Sequence, residues 1–126
     1  MADAIPPRAT GIERLRKALG YSLLGLASAW RHEAAFRQEV VLLVVASPLA
    51  LWLGESWLET LILVGVIAMV LVVELLNSAI ENIVDSVVSE YNELAGRAKD
   101  QGSAAVLLAL LLAAGVWIGA LVHHFA

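Results

Sequence analysis

The chain has 126 residues, of which 60% are hydrophobic, and its formal net charge is −4. Water-soluble domains are usually about 45–50% apolar, so this composition indicates an integral membrane protein, and the length allows a single domain, residues 1–126. There is no cysteine, which excludes disulfide bonds and thiolate metal sites. The N-terminus lacks a basic region leading into an apolar core, so we expect no cleaved signal peptide.

The first predicted element is a helix over residues 10–31. Thr10 and Glu13 have the spacing of a capping box, and apolar residues then recur at steps of three and four. Arg14 and Lys17 lie away from that apolar stripe. We therefore predict an amphipathic helix in the membrane interface, with its cations toward anionic headgroups. The alternative, a helix packed on a partner protein, fits less well beside so apolar a remainder.

Three membrane-spanning helices are predicted to follow. The first covers residues 32–53 and is ended by Gly54. A second capping box, Ser56 with Glu59, opens the next helix, which covers residues 56–92 and extends beyond the membrane. The third covers residues 96–125, beginning in a polar, glycine-bounded stretch. The fold class is thus an all-α membrane protein, with a surface helix and three transmembrane helices.

The positive charges predict the orientation of these helices. All eight basic residues lie in the N-terminal segment with the start of the first span, or in residues 93–102. The loop between the first two spans carries Glu55 and Glu59 without a lysine or arginine. The positive-inside rule therefore places the N-terminus and residues 93–102 in the cytoplasm and the C-terminus outside.

A polar stripe occupies the second span. Residues 57–73 are apolar except for Glu59 and Thr60, and at about 100° per residue the following polar residues share an arc of roughly 100°. They are Glu74, Asn77, Ser78, Glu81 and Asp85.

Depth separates the members of this stripe. At 1.5 Å per residue from Trp57, Glu74 lies about 25 Å along a hydrocarbon core roughly 30 Å thick, and Glu81 lies about 10 Å further. A charged side chain at the bilayer centre costs on the order of 2.5–3.5 kcal/mol, so an intramembrane acid is expected to have a function. Glu33, Glu39, Arg14 and further polar residues reach the same level. A site there can join a water-soluble reactant to a lipid-soluble one.

The residue types indicate roles. Glu33 and Glu81 are candidate Mg²⁺ ligands, because Mg²⁺ commonly takes one or two carboxylates with phosphate and water. Glu74, close to hydrocarbon, is a candidate general base, and Asn77 can orient the base or a hydroxyl. Two cations, Lys99 and Arg14, can offset phosphate charge.

Simpler interpretations remain open for most of these residues. Glu81 and Asp85 can be the solvated end of a long helix, and we expect this of Asp85. Lys99 and Asp100 can be an ordinary loop pair, and Arg14 can merely anchor the surface helix. His123 and His124 are expected to be a polar terminus rather than a metal site. No motif of a soluble nucleotide-binding fold is present.

Three longer segments carry a resemblance to a known family. Residues 33–39 (EAAFRQE), 74–81 (ELLNSAIE) and 90–100 (EYNELAGRAKD) resemble the bacterial integral-membrane diacylglycerol kinases, as do residues 20–22 and 102–105. The resemblance covers residues 10–125. It departs at Asn92, where family members have histidine, and at Ala95, where they have serine.

The resemblance implies an ATP-dependent phosphorylation of the primary hydroxyl of diacylglycerol, giving phosphatidic acid. It implies a homotrimer in the bacterial inner membrane, with active sites shared between subunits. Glu74 would be the general base supported by Asn77, and Glu33 and Glu81 would bind Mg²⁺ beside ATP. The other nucleotide contacts implied are Arg14, Tyr21, Glu90, Tyr91, Asn92, Lys99 and Asp100. The lipid contacts implied, besides Glu74, are Arg14, Ala18, Leu19, Gly20, Tyr21, Ser22, Leu23, Trp30, Ala35, Phe36, Arg37, Gln38, Glu39 and Ser103.

Two alternatives to this function are considered. Related small kinases phosphorylate undecaprenol with similar Glu and Asn residues. A small proton-coupled transporter also has few spans and an intramembrane glutamate, but its acid is expected near mid-membrane, whereas Glu74 lies near an edge. A purely structural subunit leaves Glu74 unexplained.

Overall fold

The computed structural model describes residues 5, 7–90 and 92–126, and within them the chain forms four α-helices. Three of these helices are long and apolar enough to cross a membrane, since about 20 residues span a hydrocarbon core of about 30 Å. The predicted all-helical class with three membrane-spanning candidates is therefore confirmed. The helices are α1 (Gly11–His32), α2 (Ala34–Leu53), α3 (Trp57–Val87) and α4 (Glu93–Phe125).

The two predicted capping boxes have different outcomes. Ser56 Oγ accepts a hydrogen bond from the Glu59 N–H at 3.1 Å, which confirms the side-chain cap of α3. Thr10 precedes α1 but its side chain makes no cap hydrogen bond, so the first capping box is wrong. The chain enters α1 through Gly11 with a left-handed φ of 64°, a backbone conformation outside the usual capping geometry. Glu13 pairs instead with Arg16 at 2.8 Å.

Glu33 separates α1 from α2. Its backbone is extended, with φ −116° and ψ 104°, so α2 begins one residue later, whereas the sequence placed residue 33 inside the first span. Arg37 closes the exposed end of α1, because its Nη1 donates to the Trp30 carbonyl at 2.8 Å and to the Arg31 carbonyl at 3.3 Å. These carbonyls belong to the last turn of a helix and lack intrahelical partners. The junction therefore holds Glu33 at a defined point between two helices.

Helix α3 is the centre of the packing. Leu63 and Val70 on α3 are fully buried, and Leu63 packs with Ala50 and Leu53 of α2. A second cluster joins α1 and α2 to α3, and consists of Ala29, Phe36, Ala46, Ile67 and Leu71. Trp117 of α4 packs against both clusters.

The α2–α3 turn is tied to the end of α4. Glu55 in the turn lies 3.4 Å from His123, measured from Oε2 to Nε2, and the rings of Trp52 and His124 lie 4.7 Å apart. Gly54 is required in the turn, because a Cβ there would collide with Thr60 Oγ1. These contacts fix one end of the helix bundle. The connection between α3 and α4 lies at the opposite end.

That connection lies earlier in the chain than the sequence indicated, at residues 88–92 rather than 93–95. Helix α3 ends at Val87 rather than near residue 92, and α4 begins at Glu93. Asn92 caps α4, since its Oδ1 accepts hydrogen bonds from the N–H groups of Leu94 at 2.9 Å and Ala95 at 3.2 Å. The polar residues that follow thus stand on a helix rather than in a loop.

Candidate active site

The polar stripe of α3 is buried within a single chain. The side chains of Glu74, Asn77 and Ser78 are 7%, 8% and 6% exposed, respectively. Glu74 is the only buried acidic residue in the part of the chain that the structure describes. Since burying an uncompensated carboxylate is costly, its position calls for a partner or a function.

Three other carboxylates lie within electrostatic range of Glu74. Glu81 and Glu33 both lie close enough to act electrostatically on it, and Glu74 acts in the same way on Glu39. The Oε2 atom of Glu39 is buried and has no hydrogen-bond partner among the described residues. Like charges this close in a poorly solvated place repel one another. The arrangement is therefore suited to bind protons or cations.

Asn77 connects Glu81 to the buried part of the stripe. Its Nδ2 donates to Glu81 Oε1 at 3.4 Å, a long hydrogen bond between residues one turn apart on α3. Its Oδ1 is buried and has no hydrogen-bond partner within residues 7–90 and 92–126. Gly102 of α4 lies directly against this amide. Asn77 thus contacts an acid on one side and the neighbouring helix on the other.

The acids fit a metal that arrives with phosphate. Among the described residues, no three histidine or acidic side chains are grouped as a complete metal site. Mg²⁺ does not need such a group, because it usually takes one or two carboxylates and completes its octahedron with phosphate oxygens and water. Glu33 and Glu81, which both act on Glu74, supply this kind of donor pair.

A cleft of about 930 Å³ lies between α1 and α3. Glu33 lines it, together with Ser22 of α1 and Ser78 and Asn82 of α3. The cleft therefore brings a predicted metal ligand beside a predicted lipid contact. Its other lining side chains are mostly small, including Gly25, Ala29 and Ala79.

A second cleft, of about 380 Å³, lies where α3 ends and α4 begins. Four predicted nucleotide residues line it together: Glu90, Asn92, Lys99 and Asp100. Tyr91, predicted with them, lies outside the described residues. Asp85 also lines the cleft and pairs with Lys99, Oδ1 to Nζ, at 2.9 Å. Asp85 is exposed, as expected of a solvated residue, and it also makes an ion pair with Lys99 that the sequence did not predict.

A third cleft, of about 660 Å³, surrounds the start of α1. Arg14, Ala18 and Tyr21, all predicted site residues, line it with Arg8 and Lys17. The three clefts share no lining residue. The clefts therefore divide the predicted site residues that line them over three surfaces of one chain, and Glu74, Asn77 and Glu81 line none of the three.

The predicted lipid contacts fall into three structural groups. Phe36 is 4% exposed and belongs to the core, and Arg37 uses its guanidinium to close α1. Glu39 is partly buried beside Glu74. Apart from the buried Glu74, the remainder are exposed, with most of them on α1: Arg14, Ala18, Leu19, Gly20, Tyr21, Ser22, Leu23, Trp30, Ala35, Gln38 and Ser103.

Sequence reasoning missed the positions or contacts of three residues. Asp85 shared the helical stripe with Glu81, and that spacing was a signal of its position, but its partner lies on another helix. Asn82 lines the α1–α3 cleft just outside the arc of the stripe, and its spacing of four residues from Ser78 was the signal that could have found it. Gly102 belongs to a segment that carried the family resemblance, but its contact with Asn77 was not predicted, since it depends on how closely α4 approaches α3.

Comparison with known proteins identifies the family. Residues 20–121 match the family model described as prokaryotic diacylglycerol kinase. The chain is 50% identical over 116 residues to a diacylglycerol kinase of Escherichia coli strain K12. The match covers 92% of this chain and 95% of the relative. The chain belongs to the prokaryotic diacylglycerol kinase family. The resemblance inferred from the three motifs is therefore confirmed, and so is the expectation of a kinase.

Two further relatives extend the comparison. The chain is 45% identical over 114 residues to a diacylglycerol kinase of Haemophilus influenzae, covering 90% of this chain and 97% of the relative. It is 48% identical over 108 residues to a diacylglycerol kinase of Pseudomonas aeruginosa, and the match covers 86% of this chain and 88% of the relative. Glu33, Glu74, Glu81 and Lys99 all lie within the region matched by the family model, whereas Arg14 precedes it.

Proposed function

We propose that this protein transfers the terminal phosphoryl group of ATP to the primary hydroxyl of diacylglycerol, giving phosphatidic acid. The observation that carries the proposal is Glu74, a buried carboxylate on a membrane-spanning helix, within electrostatic range of Glu33 and Glu81. A reaction between a lipid and a soluble nucleotide needs this arrangement, in which a base meets the lipid and acids face the metal-bound phosphates.

Glu74 is the general base in this proposal. It accepts the proton of the lipid hydroxyl as the oxygen attacks the γ-phosphorus, and the bond to the leaving ADP oxygen breaks on the opposite side. Its burial excludes competing water, which would otherwise favour hydrolysis of ATP. Asn77 supports the site through its hydrogen bond to Glu81.

Glu33 and Glu81 would hold Mg²⁺. The ion, when bound with ATP, neutralises charge on the β- and γ-phosphates and orients them for in-line transfer. Glu33 suits this role because it stands at the break between α1 and α2, where its backbone is extended rather than helical. Glu81 suits it because Asn77 limits the rotation of its carboxylate.

The nucleotide is proposed to use the cleft between α3 and α4. Lys99 offsets phosphate charge there, and Asp85 keeps its ammonium at the cleft. Glu90, Asn92 and Asp100 line the same cleft, and Tyr91 adjoins them in the sequence. Arg14 and Tyr21 are proposed as further nucleotide contacts that also meet the lipid headgroup.

The lipid is proposed to enter sideways from the bilayer, along α1. The predicted lipid contacts on this helix are exposed, so they are available to acyl chains and to the glycerol. Helix α1 would lie in the membrane interface, where its cations meet anionic headgroups. Those contacts are Arg14, Ala18, Leu19, Gly20, Tyr21, Ser22, Leu23 and Trp30.

We infer a homotrimer with shared active sites. The predicted nucleotide contacts of one chain are divided between clefts that have no lining residue in common, with Arg14 and Tyr21 in one and Lys99 and Asp100 in another. A second chain is the simplest way to unite them. Helix α4 exposes many large apolar residues, which suits contact with lipid or with another subunit. The proposed location is the bacterial inner membrane, with the N-terminus cytoplasmic and the C-terminus periplasmic.

The experiment that tests this function uses purified protein in lipid, with radiolabelled ATP and Mg²⁺. Diacylglycerol and undecaprenol are offered in separate reactions and in competition. Label is expected in phosphatidic acid, with little in undecaprenyl phosphate. Preferential labelling of undecaprenol would show that undecaprenol, not diacylglycerol, is the substrate. Label in neither lipid, together with proton-driven uptake of a solute, would show that the protein is a transporter rather than a kinase.

A further inference from the structure

Gly102 lies on α4 at its closest approach to the candidate site. It is one of two buried residues on that helix, the other being Ala109. A Cβ at position 102 would collide with Asn77 Oδ1, and it would lie 3.3 Å from Asn77 Cγ and 3.8 Å from Asn77 Cβ. The space that any other residue would fill is therefore occupied by the amide of Asn77.

Helix α4 is fixed to α3 on both sides of this contact. Trp117 Nε1 donates to the Leu63 carbonyl at 2.9 Å toward one end, and Lys99 pairs with Asp85 at 2.9 Å toward the other. Helix α4 thus has contacts with α3 on both sides of Gly102, at Lys99 before it and at Trp117 after it. A side chain added at 102 would be accommodated more easily by rotation of Asn77 than by movement of the helix.

Rotation of Asn77 has a direct consequence at Glu81. The Nδ2 of Asn77 donates to Glu81 Oε1, whereas its buried Oδ1 faces Gly102 and has no hydrogen-bond partner among the described residues. The amide is therefore oriented by its hydrogen bond to Glu81 on one side and confined by α4 on the other. A displaced amide would leave the Glu81 carboxylate without this donor.

We propose that Gly102 is a positioning residue of the active site: its missing side chain keeps the Asn77 amide directed at Glu81. The kinetic consequence rests on the proposed function, because it assumes that Glu81 binds Mg²⁺. The structural part, the dependence of Asn77 on position 102, is independent of that function.

The test compares Gly102→Ala with Gly115→Ala. Both glycines lie inside α4, so alanine favours the helix equally at either position, but a Cβ at 115 would meet nothing within 4 Å. A hydrogen bond to a charged group is worth enough that its loss lowers kcat about tenfold to a hundredfold. We expect that fall, with a raised Mg²⁺ requirement, in Gly102→Ala alone. Equal activity and equal Mg²⁺ titrations in the two variants would overturn the proposal.

A second readout does not depend on activity. The sequence has three asparagines, Asn77, Asn82 and Asn92, so ¹⁵N-asparagine labelling gives three side-chain amide signals, and Asn77→Ala identifies the first. We expect Gly102→Ala to move the Asn77 signal and leave the other two in place. An unmoved Asn77 signal contradicts the proposal. If the parent protein lacks kinase activity, the proposed function fails, and the amide signal still decides the role of Gly102.

Failure of Gly102→Ala to fold is also informative. In that case the smaller side chain of Asn77→Ser should make room for the added methyl group. Recovery of folding in the Gly102→Ala/Asn77→Ser double variant supports the contact. No recovery, measured by the same unfolding transition, overturns it.

Discussion

Lys99 Nζ lies 2.9 Å from Asp85 Oδ1, across the polar end of the α3–α4 pair. The two residues are 14 positions apart in the sequence and come from different helices. Both line the cleft that also contains Asp100 and Glu90. The pair is net neutral, and it fixes the Lys99 ammonium at the proposed nucleotide site.

Replacing Lys99 tests this cleft. Lys99→Gln removes the charge, so we expect the KM for ATP to rise about tenfold to a hundredfold, the usual cost of losing a charged hydrogen bond. The KM for diacylglycerol should not change. Arg97→Gln is the matched control, because Arg97 is an exposed cation on the same helix that pairs only locally with Glu93. An unchanged KM for ATP in Lys99→Gln would remove this cleft from the nucleotide site.

The metal site gives a second prediction. Glu33→Gln and Glu81→Gln each remove a negative ligand, so the Mg²⁺ concentration needed for half-maximal activity should rise at least about tenfold. Glu13→Gln is the control, since Glu13 is exposed on α1 and pairs with Arg16. Initial rates at saturating ATP, titrated with Mg²⁺, measure the effect. Mg²⁺ curves that superimpose on the control would show that these residues are not ligands.

Trp117 gives a prediction about stability. Its indole N–H donates to the Leu63 carbonyl at 2.9 Å and joins α4 to the centre of α3. Trp117→Phe keeps an aromatic ring but loses this donor, so the free energy of unfolding should fall by about 0.5–1.5 kcal/mol. Trp57→Phe, at a side chain that is 71% exposed, should change it much less. Unfolding of both variants in the same detergent measures the difference, and equal stability would show that the bond contributes nothing.

Much of the fold could be predicted from the sequence, because hydropathy and local signals determine it. Ser56 and Glu59 marked the start of α3 through a short-range cap, and Gly54 marked the end of α2. The first capping box failed because Gly11 takes a left-handed conformation, which the pattern of Thr10 and Glu13 does not reveal.

The site was predictable along one helix but not between helices. Glu74, Asn77 and Glu81 share a helical period, and so their neighbourhood could be inferred from spacing. The contacts of Asp85 with Lys99 and of Gly102 with Asn77 depend on the packing of α4 against α3. Such contacts arise from many side chains together, and no local pattern encodes them. The position of Glu33 between two helices was missed for the same reason. The end of α1 depends on Arg37 of α2, whose guanidinium donates a hydrogen bond to the Trp30 carbonyl.

Phosphoryl transfer by Glu74→Gln tests the central claim most directly. Glutamine has nearly the same shape as glutamate but is not a base, so we expect transfer to diacylglycerol to fall by at least about a hundredfold, within the range for losing a general base. ATP binding and subunit association should remain, and Glu59→Gln, at the other end of α3, should behave like the parent protein. Substantial transfer by Glu74→Gln, or loss of its association along with its activity, would contradict the assignment of Glu74 as the base.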